Sequence, residues 1–452
     1  MSGEKPLGYH WRSSKWFIVS TISIALFAET FLYGFLVPIL GYMFESRLHT
    51  DPSQTQYLTS TILALHGFCC AVSGPLIGHF ADKSSNRKSL LLMSLGGCVV
   101  GTVMVAFSHT LWLLFLGRVF QGVAGSFVWI VGLATAAETV GESSMGTVIG
   151  VIMSFANAGV VGGPMVSGLM LEVAGYWAIW SIPLVVLTVD FIARLIMIGD
   201  SEKSKKESAN EEAETVETTG LLGTPGDSQD SSTTLGFWRT ILCNGRVLTA
   251  LLISVSTVSL NTSFHATLPL HVKDTFGWGT GTIGFLFFCL SIPSIIITPL
   301  AGWLRDRSGL RVPAAITFLI QAVTMGILGI AGSNYFSLAE TQGPAIYMTS
   351  IIVVGIVQPF VFGVAPIELA AVVKEKQEQK PGIFGPRGGF ARIFSMTEVA
   401  TTLGLIIGPI LSGSLTELVG YTYMSWTWSV LHVMLAILAF RFLEKKSQAE
   451  DD

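Results

Sequence analysis

The sequence predicts an all-α membrane protein with twelve transmembrane helices in two pseudo-symmetric bundles of six. Three observations lead to this fold class: an apolar composition, a series of apolar runs of membrane-spanning length, and sequence blocks that recur in the second half of the chain. Half of the 452 residues are hydrophobic and only 12% are charged, and the mean hydropathy is +0.62. Such a composition excludes a string of water-soluble domains.

The apolar runs follow one another along the chain as expected for a polytopic membrane protein. A helix needs about 20 apolar residues to cross the hydrocarbon core. The first run is too long for a cleaved signal peptide, so we expect it to remain as a spanning helix. The twelve runs lie at about 16–44, 56–80, 89–108, 111–139, 145–172, 175–199, 246–270, 281–304, 312–333, 343–372, 389–418 and 421–443.

Lysine and arginine predict the orientation of these helices. Their clusters fall on one side of the twelve-helix weave together with both termini, whereas the other side carries little beyond Arg47 and Lys273. Because Lys and Arg concentrate in cytosolic loops, we expect both termini to be cytosolic. The clusters contain Lys83, Arg87, Lys88, Lys203, Lys205, Lys206, Arg305, Arg307, Arg311, Lys374, Lys376, Lys380 and Arg387.

The segment 200–240 differs in character from the rest of the chain. It is acidic, rich in Ser and Thr, and almost free of large apolar residues, so it cannot bury enough surface to fold and is predicted to be a disordered cytosolic linker. The predicted organisation is therefore a cytosolic N-terminal tail at 1–15, a six-helix bundle at 16–199, the linker, a second bundle at 241–443 and a cytosolic tail at 444–452.

Two sequence blocks repeat between the halves. "PLIGHFADKSSNR" from Pro75 returns as "PLAGWLRDRSGLR" from Pro299, and "GPMVSGLMLEVAGY" from Gly163 returns as "GPILSGSLTELVGY" from Gly408. Each half is therefore interpreted as a copy of one six-helix unit. Parallel repeats of this kind build transporters whose halves move about a substrate site near the membrane midplane.

Polar residues at membrane depth are the candidates for that site. Glu29 lies within "IALFAETFLYGFLVPIL", and a charge at the bilayer centre costs at least about 2.5–3.5 kcal/mol. Glu398 is a second intramembrane carboxylate, in the other half, and the two form a candidate proton and cation pair. Further candidates for proton coupling or substrate binding are His66, Arg118, Asn157, His265, Gln358 and His432. The histidines are candidate relays because imidazole changes charge near physiological pH.

Three motifs resemble those of the major facilitator superfamily, and the resemblance covers essentially the whole chain. "GHFADKSSNRK" resembles its loop between helices two and three, "GRVFQG" resembles its arginine motif in helix four, and "NAGVVGGPMVSG" resembles the glycine-proline motif of its antiporter branches. The resemblance implies a transporter without a cofactor. It also implies that helices one, four, seven and ten supply the cavity wall, with Tyr33, Phe127, Trp129, Phe264 and Phe360 as candidate aromatic residues.

Within the superfamily, two segments are similar to the vesicular amine transporters. "AETFLYGFLVP" and "EVATTLGLIIGP" match segments in which that family carries intramembrane acids at the places of Glu29 and Glu398. This chain departs from the amine transporters at three places. They have a lysine where this chain has His66, an acid where it has His265, and a third acid near the position of His432. It looks more like a fungal-type member of the drug:proton antiporter group with twelve spanners, whose members export toxins, drugs or secondary metabolites.

The loop motifs predict conformational latches on the cytosolic side. We expect Gly78 to permit close helix packing, Asp82 to accept hydrogen bonds from backbone N–H groups at the start of helix three, and Arg87 to pair with Glu138. The second half offers the corresponding set Gly302, Asp306, Arg311 and Glu368. Both sets are interpreted as breakable contacts of the kind that conformational switching needs. The alternative is that they only anchor the topology.

Helix five carries small residues that predict close packing. They are Gly159, Gly163, Pro164 and Gly168, which permit a close approach of a neighbouring helix. In antiporter families this face is taken to seal the pathway against leak, so the resemblance favours exchange over facilitation.

The predicted function is export of a small organic compound in exchange for protons, by alternating access. Glu29 or Glu398 takes up a proton from an acidic outer face and releases it to a more alkaline cytosol, while Arg118 tunes the site. A cationic or polar substrate competing for the same carboxylate couples the two fluxes. Two alternatives stay open: a facilitator or importer of a nutrient or amine, and a non-transporting sensor on the same fold.

Other functional classes lack support in the sequence. The cysteines have no ligand-like spacing, no metal or catalytic cluster is evident, and no basic stripe points to nucleic acid. We therefore expect no metal, no cofactor and no enzymatic activity. The expected partners are a small-molecule substrate, protons and the lipid bilayer, and the expected state is a monomer. The expected location is the plasma membrane, with a vacuolar or vesicular membrane as the alternative.

Overall fold

The computed structural model describes residues 9–51, 54–84, 86–140, 144–198, 241–278, 280–331, 338–379, 384 and 389–443. The predicted linker 200–240, the first eight residues and the C-terminal tail 444–452 lie outside the described residues. The described part of the chain is helical and contains no strand.

The described residues contain eleven helices that are each long and apolar enough to cross a membrane. A bent pair of helices, Val173–Ile179 and Ser181–Ile196, brings the number to the predicted twelve when it is counted as one span, the sixth in chain order. A short helix, Tyr9–Arg12, precedes the first span, and a π-helical turn, Met43–Arg47, ends it. In chain order the helices are α1 (Lys15–Tyr42), α2 (Thr55–Lys83), α3 (Arg87–Ala106), α4 (Leu111–Thr139), α5 (Met145–Ile179), α6 (Ser181–Ile196), α7 (Gly245–Phe276), α8 (Thr280–Ser308), α9 (Arg311–Ile330), α10a (Leu338–Val357), α10b (Val364–Gln379), α11 (Phe390–Val419) and α12 (Tyr421–Phe442).

The repeated "GY" dipeptides mark the same corner in the two halves. Gly175 (φ 75°, ψ 176°) breaks the helical backbone near the end of α5, and Gly420 (φ 92°, ψ 163°) separates α11 from α12. A positive φ is readily adopted only by glycine. The sequence repeat therefore encodes one backbone corner twice, and the predicted boundary at residue 175 agrees with the break.

Small residues bring α5 against α1 and α11 against α7. A Cβ added to Gly163 would lie 2.7 Å from the backbone nitrogen of Phe35, and one added to Gly404 would lie 2.8 Å from the carbonyl oxygen of Val255. Hydroxyl groups then bridge the backbones: Thr30 Oγ1 donates to the Ala156 carbonyl at 2.9 Å. The close packing predicted for helix five is therefore present, and its partner is α1.

The two halves meet through α2 against α11 and α5 against α8. A Cβ added to Gly78 would lie 2.9 Å from the Ala391 carbonyl oxygen, and one added to Gly150 would lie 2.7 Å from the Thr298 carbonyl oxygen. We call the end of the bundle that carries the α2–α3 and α8–α9 connections the basic end. By the distribution of Lys and Arg, this end is the predicted cytosolic one.

The apolar core is divided unequally along the membrane normal. One large cluster at the basic end combines side chains of both halves, from Ile18 and Ile149 to Ile253 and Phe318. Towards the opposite end, the first half has its own cluster and the second half has another. The halves are therefore packed into each other at the basic end and have separate cores at the other.

The α1–α5 contact yields a stability prediction with a matched control. We expect Gly163→Ala to destabilise the protein by about 1–3 kcal/mol, because the new methyl group overpacks the backbone of α1. Gly96→Ala has nothing within 4 Å of the added Cβ, so it should stabilise α3 by up to about 1 kcal/mol. Thermal unfolding of the detergent-solubilised variants measures both effects. An unchanged midpoint for Gly163→Ala would contradict the close α1–α5 packing.

Candidate functional site

Asp82, in the last turn of α2, binds the first turn of α11 in the other half. Its carboxylate accepts hydrogen bonds from the backbone nitrogens of Ala391 (2.9 Å) and Arg392 (3.1 Å) and from Arg392 Nε (2.9 Å). A carboxylate at a helix N-terminus is favoured by the unpaired N–H groups and the helix dipole. The expectation that Asp82 caps helix three is wrong, because the Asn86 side chain occupies that position and accepts from Ser89 N.

Asp306, in the last turn of α8, makes the corresponding contact with α5. It accepts hydrogen bonds from Gly146 N (2.6 Å), Thr147 N (2.7 Å) and Thr147 Oγ1 (2.6 Å). Each half thus places a carboxylate on the first helical turn of its partner, and both contacts lie at the basic end. We call Asp82 and Asp306 the cap pair.

The ion pairs next to the cap pair are not symmetric. Arg87 pairs with Glu138 at 2.6 Å, as predicted, and also lies 3.6 Å from Asp82. In the second half, Glu368 pairs at 2.7 Å with Arg246 of α7.

The sequence repeat predicts Arg311 as the partner of Glu368, and this prediction is wrong. Arg311 instead donates to the Leu443 carbonyl at 2.9 Å. The buried Glu368 lies on α10b, which packs against α7, and Arg246 in the first turn of α7 is therefore within its reach.

Glu29 is held from two sides near the middle of the first half. Its Oε2 accepts a hydrogen bond from Trp129 Nε1 at 2.9 Å, and its Oε1 lies 3.5 Å from His66 Nε2. A Cβ added to Gly125 would lie 2.7 Å from Oε1. Glu29 is buried, so helices α1, α2 and α4 together define the position of this carboxylate.

Arg118 lies near Glu29 without an ion pair. Its Nη1 donates to Gln121 Oε1 at 2.9 Å, and Gln121 donates in turn to Thr102 at 3.0 Å. The guanidinium lies 5.5 Å from the centroid of the Tyr33 ring, and that ring lies 5.0 Å from the His66 ring. Within the described residues no carboxylate is at ion-pair distance from Arg118, so its charge acts on Glu29 through space.

Glu398 faces a small cavity between the halves. The cavity holds about 60 Å³, which is room for a few water molecules. No described residue forms a hydrogen bond or an ion pair with the Glu398 carboxyl group, in contrast to Glu29. The cavity is lined by Trp129, Leu133 and Met153 from the first half and by Ser254, Thr257, Val258, Val361, Phe362, Gly363, Val364, Ala365, Pro366, Phe394, Thr397, Glu398 and Thr401 from the second.

A break in helix ten forms part of the cavity wall. A 3₁₀ turn, Gln358–Phe360, separates α10a from α10b, and Gln358 Nε2 donates to the Thr257 carbonyl at 3.3 Å. Arg305 Nη1 donates to the Phe362 carbonyl at 2.6 Å. From the sequence, Arg305 is predicted only to mark the orientation of the helices. One difference in the repeat points to a further role: Arg305 replaces Ala81 in an otherwise similar segment.

Four of the predicted residues lie away from the two carboxylates or outside the cavity. His432 is buried between α9 and α12, with Nδ1 at 2.7 Å from the Trp428 carbonyl and its ring 5.7 Å from Phe318, and it does not line the cavity. Phe264 lies in the apolar core of the second half, so its interpretation as a cavity aromatic is wrong. His265 is exposed and stacks on Phe287 at 4.9 Å. The amide nitrogen of Asn157 is buried without a hydrogen-bond partner in the described part of the chain.

Comparison with known proteins identifies the family. The family model of the Major Facilitator Superfamily matches residues 22–376. The chain belongs to the major facilitator superfamily. Among the structures it resembles is the crystal structure of the human organic anion transporter MFSD10 (TETRAN), with a TM-score of 0.63 and 16% sequence identity over 94% of this chain and 99% of that one. At this identity the likeness shows the fold alone.

Relatives in the major facilitator superfamily come from fungi and bacteria. The "Uncharacterized MFS-type transporter C18.02" of Schizosaccharomyces pombe is 29% identical over 90% of this chain and 91% of its own length. The "MFS-type transporter ppzB" of Metarhizium rileyi is 27% identical, with 97% of each chain covered. The "Tetracycline resistance protein, class H" of Pasteurella multocida is 24% identical over 66% of this chain and 69% of its own.

For a superfamily transporter, the cap pair generates a conformational prediction. We expect Asp82→Asn to raise the population open at the basic end about tenfold or more, since a charge-assisted hydrogen bond contributes about 1.5–3 kcal/mol. Spin labels at Ser89→Cys and Ser308→Cys, in a Cys243→Ser background, report the distance between the halves at this end.

The matched control is Glu375→Gln. Glu375 is an exposed carboxylate that pairs with Arg246 inside the second half, so its loss should leave the distance distribution unchanged. If Asp82→Asn and Glu375→Gln gave the same distribution, the cap pair would be a topological anchor and not a latch.

Proposed function

We propose that this chain is a proton-coupled antiporter that exports a small organic compound by alternating access. The observation that carries the proposal is a pair of buried carboxylates on spanning helices, Glu29 in the first half and Glu398 in the second, that are close enough to interact electrostatically. Intramembrane carboxylates are costly and mark ion or proton pathways. No enzymatic activity is part of the proposal.

The two carboxylates have different roles in this proposal. Glu398 lines the cavity and has no hydrogen-bond or ion-pair partner among the residues that the structure describes. In this proposal it is the group that a proton or a cationic part of the substrate meets directly. Glu29 is held by Trp129 and His66 and is the proton site of the first half. Arg118 places a positive charge near Glu29 and tunes the site in this proposal.

The cap pair supplies the switch. Both caps are closed in this conformation, and the cavity is too small for a drug-sized ligand, for which about 300–1,000 Å³ is usual. We propose that the basic end faces the cytosol and that export requires both caps to open there. A carboxylate cap on a helix end is suited to this, because water satisfies the same groups once the contact breaks.

The comparisons supply a first compound to test. Several relatives carry the name of tetracycline resistance proteins, and we extend export of a drug or a secondary metabolite to this chain as part of the proposal. We further propose a monomer in the plasma membrane, with a vacuolar or vesicular membrane as the alternative. The substrate partner is thus a small molecule exchanged for protons.

Purified protein in proteoliposomes tests the coupling. We expect tetracycline transport to follow an imposed pH gradient, and Glu29→Gln or Glu398→Gln to reduce the gradient-driven rate at least about tenfold, because neither amide can carry a proton. The control Glu417→Gln removes an exposed carboxylate from the same helix as Glu398 and should keep the wild-type rate. Transport that is equally fast without a pH gradient would contradict the antiport proposal and favour a facilitator.

A further inference from the structure

Trp129 belongs to both parts of the site. Its indole N–H donates to Glu29 Oε2 at 2.9 Å, while the residue lines the cavity that Glu398 faces. Glu29 itself is not among the residues that line this cavity. A molecule in the cavity therefore contacts the indole of Trp129 before it contacts Glu29.

One turn of α4 accounts for this geometry. Gly125 and Trp129 stand four residues apart and therefore share a helix face. The missing side chain of Gly125 leaves space for Oε1 of Glu29, and the indole of Trp129 reaches Oε2. The orientation of the carboxyl group is thus fixed by two residues: Gly125, which has no side chain and leaves space, and Trp129, which donates a hydrogen bond.

The other groups around Glu29 do not replace this contact. His66 Nε2 is at 3.5 Å, at the limit of a hydrogen bond, and the Arg118 side chain donates to Gln121 Oε1. The titratable and charged groups that are close enough to interact electrostatically with Glu29 are Tyr33 on α1, His66 and Cys70 on α2, Cys98 on α3, Arg118 on α4 and Glu398 on α11.

We propose that Trp129 is a positioning residue for Glu29: its N–H holds the ionised carboxylate in place and thereby sets the pH range over which the first half exchanges its proton. This inference deepens the proposed function and rests on it for its role in transport. A hydrogen bond to an ionised acceptor favours the ionised form. When Glu29 takes up a proton from water, the O–H bond forms at the carboxyl group and the indole N–H loses a charged acceptor.

Infrared titration of the purified protein in lipid nanodiscs tests the inference without any substrate. The carboxyl band that disappears in Glu29→Gln belongs to Glu29. We expect Trp129→Phe, which keeps an aromatic wall and removes the donor, to move the half-protonation point of this band to higher pH by about one unit. The control Phe362→Leu alters another aromatic residue of the cavity wall and should leave the band in place.

A second variant covers the case in which Trp129→Phe fails to fold. Replacement of Trp129 by 3-benzothienylalanine, introduced by amber suppression, keeps the ring size and exchanges only the N–H for sulfur. The same upward shift is expected. An unchanged half-protonation point in either well-folded variant overturns the inference.

Transport gives a readout that a purely structural role would not move. In proteoliposomes with tetracycline, Trp129→Phe should shift the pH of half-maximal transport by about one unit in the same direction, with KM within about threefold of wild type. Phe362→Leu should change KM and leave the pH profile unchanged. If transport by the wild-type protein did not depend on pH, the antiport proposal would be refuted, while the infrared result would still decide the role of Trp129.

Discussion

The arrangement of the two halves depends on two carboxylates that hold helix ends across a domain interface. Asp82 binds the first turn of α11, and Asp306 binds the first turn of α5. Each contact satisfies backbone N–H groups that a helix cannot satisfy itself. With both caps in place, the apolar cores of the halves merge at the basic end, and the central cavity is reduced to a few water volumes.

Helices α8 and α11 each take part in a cap contact and also contact or form the cavity wall. This is a physical basis for coupling the opening of the caps to a change in the cavity. The first turn of α11 carries the groups that Asp82 binds, and Glu398 follows about two turns later on the same helix. α8 carries Asp306 and, next to it, Arg305, which donates to the Phe362 carbonyl in the cavity wall. A movement of either helix at its cap is therefore a movement of the cavity wall.

The two halves share the same backbone features but differ in the polar side chains that they carry in the membrane interior. Both halves keep the glycine corner, the close helix pair and the carboxylate cap. The polar cluster of Glu29, His66, Arg118 and Trp129 belongs to the first half alone, whereas Glu398 and the broken helix ten belong to the second. Arg305 in place of Ala81, and Arg246 as the partner of Glu368, show the same asymmetry. A symmetric scaffold can thus hold two unlike carboxylates, Glu398 in the cavity lining and Glu29 beside the cavity-lining Trp129.

The sequence by itself determined the twelve spans, the two related halves, the Arg87–Glu138 pair and the candidate status of Glu29 and Glu398. Apolar length, repeats and buried charges are properties of short segments, which is why a sequence can reveal them. Only the tertiary structure decided which helix Asp82 caps, that Trp129 donates to Glu29, and that Arg305 donates to a carbonyl of the cavity wall. It also decided that Phe264 lies in the apolar core of the second half and His432 between α9 and α12. These outcomes depend on which faces of distant helices meet, and in an apolar span that choice is made by packing at glycine contacts, which no local pattern specifies.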